Sequence, residues 1–375
     1  MIGHVIRILS SPMGVTTFRR ILRRTTSRRD PQFMGRRASI KAGLIAVSAA
    51  MVLGACANQS SGGSNGAAPA GVDCGTVKIA DNAWVGYEAN VAVVNYLLTN
   101  ELGCDVKVSG TIAEQVAWKG FQTGQVDVVL ENWGHPELVS QYIDKQGVAV
   151  DLGPTGNTGK IGWYVPQWMA DKYPDITDWK NLNKYASLFI TPESNGKGQL
   201  LDGDPSYVTN DEALVKNLNL NYQVVVGGSE AALIKSLQTA TQQKTPLLFY
   251  FYEPQYILNT AEAPSPYKGA IDIANVKLPP YTKGCDIPPA DVACDYPPYV
   301  LNKVARKAWA DSGSPAVTFV KNFNWTNEDQ NTVATDIAGG MSDDEAAKKW
   351  VDANPDVWMP WFDGTGVTPT AAPTS

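Results

Sequence analysis

Trp84 follows the apolar run TVKIA within NAWVGYEAN, Trp133 closes VDVVLENW, and Tyr252 ends LLFYFY just before Glu253 and Pro254. LLFYFY stops at an aromatic ring instead of the polar residues that usually make a turn, and the two tryptophans follow shortly after the ends of the other two runs. Tyr207 lies in GDPSYVTND, a loop that leads to a helix start. Ring faces are electronegative, so rings converging on one space attract a cation that cannot exchange hydrogen bonds, a quaternary ammonium above all, at about 0.5–2 kcal/mol per contact when water is excluded. Three or four rings plus hydrogen bonds to one polar group approach the roughly 8 kcal/mol of a micromolar complex. No dense basic cluster lies near these positions in the sequence, which argues against a phosphate or large-anion site. A single ring so placed is more often core packing; repetition at the same kind of position carries the expectation.

The elements that must position these rings alternate. TVKIA, DVKVSG and VDVVLENW read as strands, with helices over 88–101, stopped by Gly103, and 115–123 between them. This pattern predicts an α/β fold with a mostly parallel sheet, in which ligands bind beyond the carboxyl ends of the strands. DLGPTGNTGK, rich in Gly, Pro and Asn, reads as a crossover. A second unit follows, with strands over 162–165, 186–190, 222–226 and 247–252 and helices over 211–217 and 230–239. Proline-rich loops, VKLPPYTKG and YPPY, come next, then helices over 304–310, 316–322, 328–338 and 343–353. Trp350, Trp358 and Trp361 sit in the last helix and its exit, where packing is the expected role.

Ten of the 31 basic residues but only one of the 37 acidic ones lie in residues 1–41, ahead of the apolar run AGLIAVSAAMVL. That is an export signal, too short to span a bilayer permanently. It ends in Leu53-Gly54-Ala55-Cys56, which looks like the lipobox of a bacterial lipoprotein, with Cys56 the lipidated residue and ANQSSGGSNGAAPAG a flexible tether. Without the signal the chain carries about −15, so nucleic acid is excluded as a natural partner. The remaining cysteines, Cys74, Cys104, Cys285 and Cys294, are even in number in an exported chain and predict two disulfides. Three pairings are possible. Cys285 and Cys294 would close a short loop; Cys74 and Cys104 each precede a strand and meet only if those strands are parallel neighbours. With no Cys-x-x-Cys and His135 the one histidine after the signal, neither a metal site nor a cofactor is expected. His135, two residues after Trp133, is a candidate ligand donor, though a lone histidine is more often structural. Glu131 and Glu253 flank the rings and add negative potential or serve as salt-bridge and hinge residues.

NAWVGYEAN, ENWGHPEL, FYEPQY and the ending FNWTNEDQ…DIAGGMSDDEAAKKWVDANPDVWMPWFDG together resemble the glycine betaine and choline binding proteins of ABC importers, over about 77–363. The resemblance implies a type II periplasmic-binding-protein fold: two lobes, each a central mostly parallel sheet flanked by helices, joined by two hinge crossovers, after Leu152 and at Pro254. The implied organisation is a signal peptide (1–55), a lipidated cysteine and tether (56–72), lobe 1 (73–157 and 255–364), lobe 2 (158–254) and a disordered tail (365–375). Trp84, Trp133 and Tyr252 match cage positions, Tyr252 where many relatives carry Trp, and Tyr207 is placed by its loop. Choline-specific relatives carry an acid two residues after the first cage Trp, where this chain has Gly86, which favours glycine betaine. Several betaine binders have a histidine after the aromatic-x-Pro element as a donor to the ligand carboxylate, where this chain has Gln255, also a donor. The implied partners are the quaternary ammonium ligand, a permease with its ATPase, and the outer face of the cytoplasmic membrane, for a monomeric lipoprotein. The alternatives are a sugar-binding lipoprotein, since rings also stack on sugars, and a secreted glycosidase with paired carboxylates. No nucleophile motif or Walker loop supports enzymatic work by this chain.

Overall fold

The computed structural model describes residues 73–259 and 265–370, so the export signal, Cys56 and the tether lie outside the described residues. Strands β1 (Thr76–Asp81), β2 (Asp105–Thr111) and β3 (Val128–Asn132) are linked by helices α1 (Val85–Asn100) and α2 (Glu114–Thr123). Strand β4 (Ala149–Pro166) leads to β5 (Gly198–Asp202), α3 (Asp211–Asn217), β6 (Tyr222–Val226), α4 (Glu230–Gln243) and β7 (Phe249–Glu253). Strands β8 (Ile273–Val276) and β9 (Tyr299–Arg306) precede α5 (Pro315–Asn322), α6 (Asn327–Ala338) and α7 (Asp343–Ala353).

The strands pair in the order β2-β1-β3-β9-β4-β7-β5-β6, with β8 also on β4. Two half-sheets share β4: up to Gly159 it pairs antiparallel with β9, and from Lys160 with β7. Parallel pairing holds between β1 and both β2 and β3, and between β5 and both β6 and β7. The two halves are the two lobes of a type II periplasmic-binding-protein fold.

Several expectations are corrected. The Gly-rich stretch 151–160 is not a break but part of β4, where Gly153 and Gly156 take φ +94° at register shifts, the conformation that a bulge asks of glycine. Residues 186–189 form a 3-10 turn, and the strand of that region is β5, which had no clear alternation. Residues 299–306 are strand, not the start of a helix. Beyond Pro254 the chain first adds β8, which pairs with residues 163–166 of β4, and then reaches β9. The tail is packed at its start: Thr365 is buried and its hydroxyl donates to the Phe362 carbonyl at 2.7 Å.

Local chemistry sets the helix bounds. Thr326 and Ser342 open α6 and α7 with reciprocal caps from Asp329 and Glu345, and Ser229 caps α4 by accepting from the Ala232 N–H. Helix α1 buries Val91, Val93, Val94, Leu97 and Leu98 under α6 and α7. Trp350, Trp358 and Trp361 lie in this core, with Trp361 edge-on to Phe323 at 4.8 Å. Because β1 and β2 are parallel neighbours starting at Thr76 and Asp105, Cys74 and Cys104 fall side by side with Cα atoms 5.2 Å apart, and they are bonded. Cys285–Cys294 closes the loop between β8 and β9. Asn217 holds that loop by donating to the Val292 carbonyl at 2.8 Å, and Tyr296 by donating to Asp211 at 2.6 Å.

Candidate functional site

Strand ends deliver the rings to one place. Trp84 stands three residues beyond β1, Trp133 directly after β3, Tyr252 one residue from the end of β7, and Tyr207 between β5 and α3. They wall a narrow cavity, which Glu114, Ile161, Val208 and Tyr250 complete. Ring centroids of Trp84 and Tyr207 are 5.7 Å apart at 87°, of Tyr207 and Tyr252 5.9 Å at 85°, and of Tyr252 and Trp133 5.7 Å at 74°. Successive walls thus turn through near right angles, which makes a box. Two glycines permit the approach: a Cβ on Gly159 would meet the Trp133 ring at 2.5 Å, and one on Gly203 would meet Tyr207 at 2.8 Å.

The remaining side of the box, between the two tryptophans, is tied by Glu131. Its Oε1 accepts from the indole N–H of Trp84 at 3.0 Å and of Trp133 at 2.7 Å; its Oε2 accepts from Asn90 at 2.7 Å and Gln330 at 2.9 Å. Burial pushes this carboxyl up to about 7, against the pull of the four donors. Gln330 also fills the space beside Gly86, where a Cβ would meet its Nε2 at 2.7 Å.

Tyr207 and Tyr252 reach across from lobe 2. The Tyr207 hydroxyl donates to the Ala83 carbonyl at 3.1 Å, and Gln115 in lobe 1 donates to the Ser206 carbonyl at 3.4 Å. Tyr252 donates to Glu230 Oε1 at 2.7 Å, while Glu230 Oε2 accepts from the Val85 N–H at 3.0 Å, so one buried carboxylate in the first turn of α4 bridges to the first turn of α1.

Of the six residues expected to bind a ligand, Trp84, Trp133, Tyr207 and Tyr252 line the cavity and His135 and Gln255 do not. His135 stands behind Glu114, with Nε2 2.7 Å from Glu114 Oε2 and Nδ1 3.0 Å from Glu137. Burial alone would lower its pKa, but the two carboxylates lift it to about 10. Gln255 donates to Glu230 Oε1 at 2.6 Å, behind Tyr252. Glu253 is buried on β7 and its carboxylate comes within 4.0 Å of Lys160. Sequence reasoning missed Glu114, Glu230 and Tyr250. The two glutamates stand in the first turns of helices, where an acid is ordinary. Tyr250 shares a strand face with Tyr252 by the period of two, a signal that was present.

Residues 75–353 match the family model OpuAC, the substrate-binding domain of an ABC-type glycine betaine transport system. The chain belongs to the OpuAC family. A relative, the trimethylamine N-oxide-binding protein of Pelagibacter ubique, is 26% identical over 69% of this chain and 82% of its own length. Two solved structures share the fold: lactococcal OpuAC closed on glycine betaine (TM-score 0.56, 21% identity, 76% of this chain and 99% of that one) and a choline-binding protein with choline (TM-score 0.60, 18% identity, 78% and 92%). As an OpuAC member the chain is an extracytoplasmic substrate-binding component of betaine/choline-type ABC transport and not an enzyme, which sets aside the glycosidase alternative. No helix among the described residues is long and apolar enough to cross a membrane.

Proposed function

We propose that this protein is a monomeric lipoprotein, held by Cys56 at the outer face of the cytoplasmic membrane, that closes two lobes around a methylated ammonium osmolyte and hands it to an ABC permease. The proposed lobes are residues 73–157 with 255–364 and residues 158–254, and the pairing of β8 with the 163–166 end of β4 supports a later return to the first lobe. The ring box is the cage: two indoles from lobe 1 and two phenols from lobe 2 converge on one small cavity, and this single observation carries the reading. Each face in contact with a desolvated cation is worth about 0.5–2 kcal/mol. Glycine betaine is the first candidate on the family's description, with choline and trimethylamine N-oxide suggested by relatives. A sugar would need several free hydrogen-bonding groups around the rings, and those of the phenols and indoles are already engaged.

The test is calorimetric titration of the full-length chain with methylated ammonium compounds and a panel of sugars. Saturable heat with at least one methylated ammonium, and none with sugars, is expected; a response to sugars alone would end the reading. For the anchor, Cys56→Ser should move the protein from the membrane to the soluble fraction, and unchanged membrane retention would remove the lipoprotein assignment.

A further inference from the structure

The two indoles of the ring cavity are held from outside it, by a chain of contacts that ends in helix α6; its role in binding rests on the function proposed above. Glu131 is 0% exposed and stands behind the cavity wall, where its Oε1 takes both indole N–H groups. Its Oε2 accepts from two side-chain amides, Asn90 of α1 at 2.7 Å and Gln330 of α6 at 2.9 Å. Among the described residues no cation is paired with this carboxyl, so four N–H donors alone support its charge against burial. Four donors use the four lone-pair directions of a carboxylate, and a proton on either oxygen would displace one of them.

Both amides have a fixed sense. Asn90 also donates to the Gly86 carbonyl at 2.9 Å, and its Oδ1 accepts from the Trp325 indole at 3.1 Å, so its nitrogen must face Glu131. Gln330 is 1% exposed and fills the notch beside Gly86, where a Cβ would stand 2.7 Å from its Nε2. Its Oε1 has no partner among the described residues, and turning the amide over would set that oxygen against an ionised carboxylate. The bare glycine is what lets α6 reach past α1 to Glu131.

We propose that Gln330, together with Asn90, is a positioning residue of the cage: neither lines the ligand space, and each acts on Trp84 and Trp133 through the Glu131 carboxylate. Tyr87 of α1, buried and uncharged, stands among Glu131, Asp81 of β1 and Glu114 of α2, the last joined to His135 at 2.7 Å. None of these groups bonds the Gln330 side chain, so a change there acts on Glu131 first.

Indole 1H–15N resonances of the full-length, ligand-free chain, followed from pH 5.5 to 9, read the contact directly. Trp84 and Trp133, identified by their Phe variants, should shift together with a midpoint near 7, the value to which burial lifts Glu131. Gln330→Met keeps the reach of the side chain and removes the donor to the charged form, so the midpoint should rise by about one pH unit. Gly86→Ala should raise it too, by pushing the amide aside, and decides the matter if the first variant does not fold. Tetramethylammonium, a cation with no hydrogen-bonding group, should bind the variants up to about fivefold more weakly at pH 7 and as tightly as the wild type at pH 9. An unmoved indole midpoint in the folded variants, or a loss of affinity that pH 9 does not restore, would overturn this role and leave Gln330 a packing residue. The indole readout needs no ligand, so failure of every methylated ammonium to bind would overturn the function proposed above and leave the hold on the indoles standing.

Discussion

Glu131 is the residue on which the two indoles depend. Below pH 7 its buried carboxyl holds a proton; above, its charge stands behind both rings. Its folded value, about 7, exceeds the roughly 4.3 of an unfolded glutamate. The stability it contributes is therefore fully present below about 4.3 and lost as pH rises through 7. Affinity for a permanently charged ligand runs the other way and rises through 7. Thermal unfolding without ligand and choline titration between pH 5.5 and 8.5 should show these opposite slopes; Glu131→Gln should flatten the binding slope and reduce the unfolding slope, part of which Glu88, also pushed up to about 7, retains. Trp133→Ala removes one face and should weaken binding about 2- to 30-fold, the range of 0.5–2 kcal/mol. Trp358 lies 2% exposed in the lobe 1 core, so Trp358→Ala should instead cost about 3–5 kcal/mol of stability with affinity kept. Equal affinity losses in a paired titration would count against the cage.

Among elements, β4 does most to place the site, because it belongs to both half-sheets and brings Gly159 under Trp133. Gly159→Ala would drive a methyl into that ring, and an overpacking cost of about 1–3 kcal/mol is expected. The readouts are a shifted tryptophan emission and an affinity lowered about tenfold. The Cys74–Cys104 bond ties the starts of β1 and β2, whereas the rings lie past the opposite strand ends. The double change to serine should therefore lower stability by about 2–4 kcal/mol in urea and leave ligand affinity unchanged. These strand positions show what could be read in advance. The starts of α3 and β6 were legible because first-turn acids and an apolar run mark them locally. Strand β9 was not, since Lys303 sits buried mid-strand, donating to the Lys321 and Phe323 carbonyls, and only pairing with β3 and β4 makes the segment a strand. The run at 186–190 has strand composition, yet the place beside β6 and β7 is taken by β5.

At the scale of the molecule, the lobes touch through Tyr207 on Ala83, Glu230 on Val85 and Gln115 on Ser206, all at the rim of the ring cavity. On the proposed function, ligand capture and lobe closure would share the same residues, and a cation between the rings would stabilise the closed state by its differential affinity for it. Tyr207→Phe keeps the ring and loses the bond to Ala83; affinity should fall about 3- to 10-fold, chiefly through faster release in stopped-flow fluorescence. Small-angle scattering should show compaction when ligand is added to the wild type and less in this variant. An identical response in both would remove Tyr207 as a link between the halves.

From composition and order alone the chain settled that it is exported, acidic, α/β and equipped with aromatic residues at strand ends, because charge counts, apolar periods and strand-terminal rings are local properties. Four of the six candidate residues read from it line one cavity. What depended on the tertiary structure was how the buried polar atoms are paired. Glu114, Glu131 and Glu230 look alike along the chain, and burial with different partners makes one the partner of His135, one the holder of two indoles and one a bridge between lobes. Hydrogen-bond satisfaction is a property of neighbours brought together from distant segments, and no spacing in the sequence encodes it.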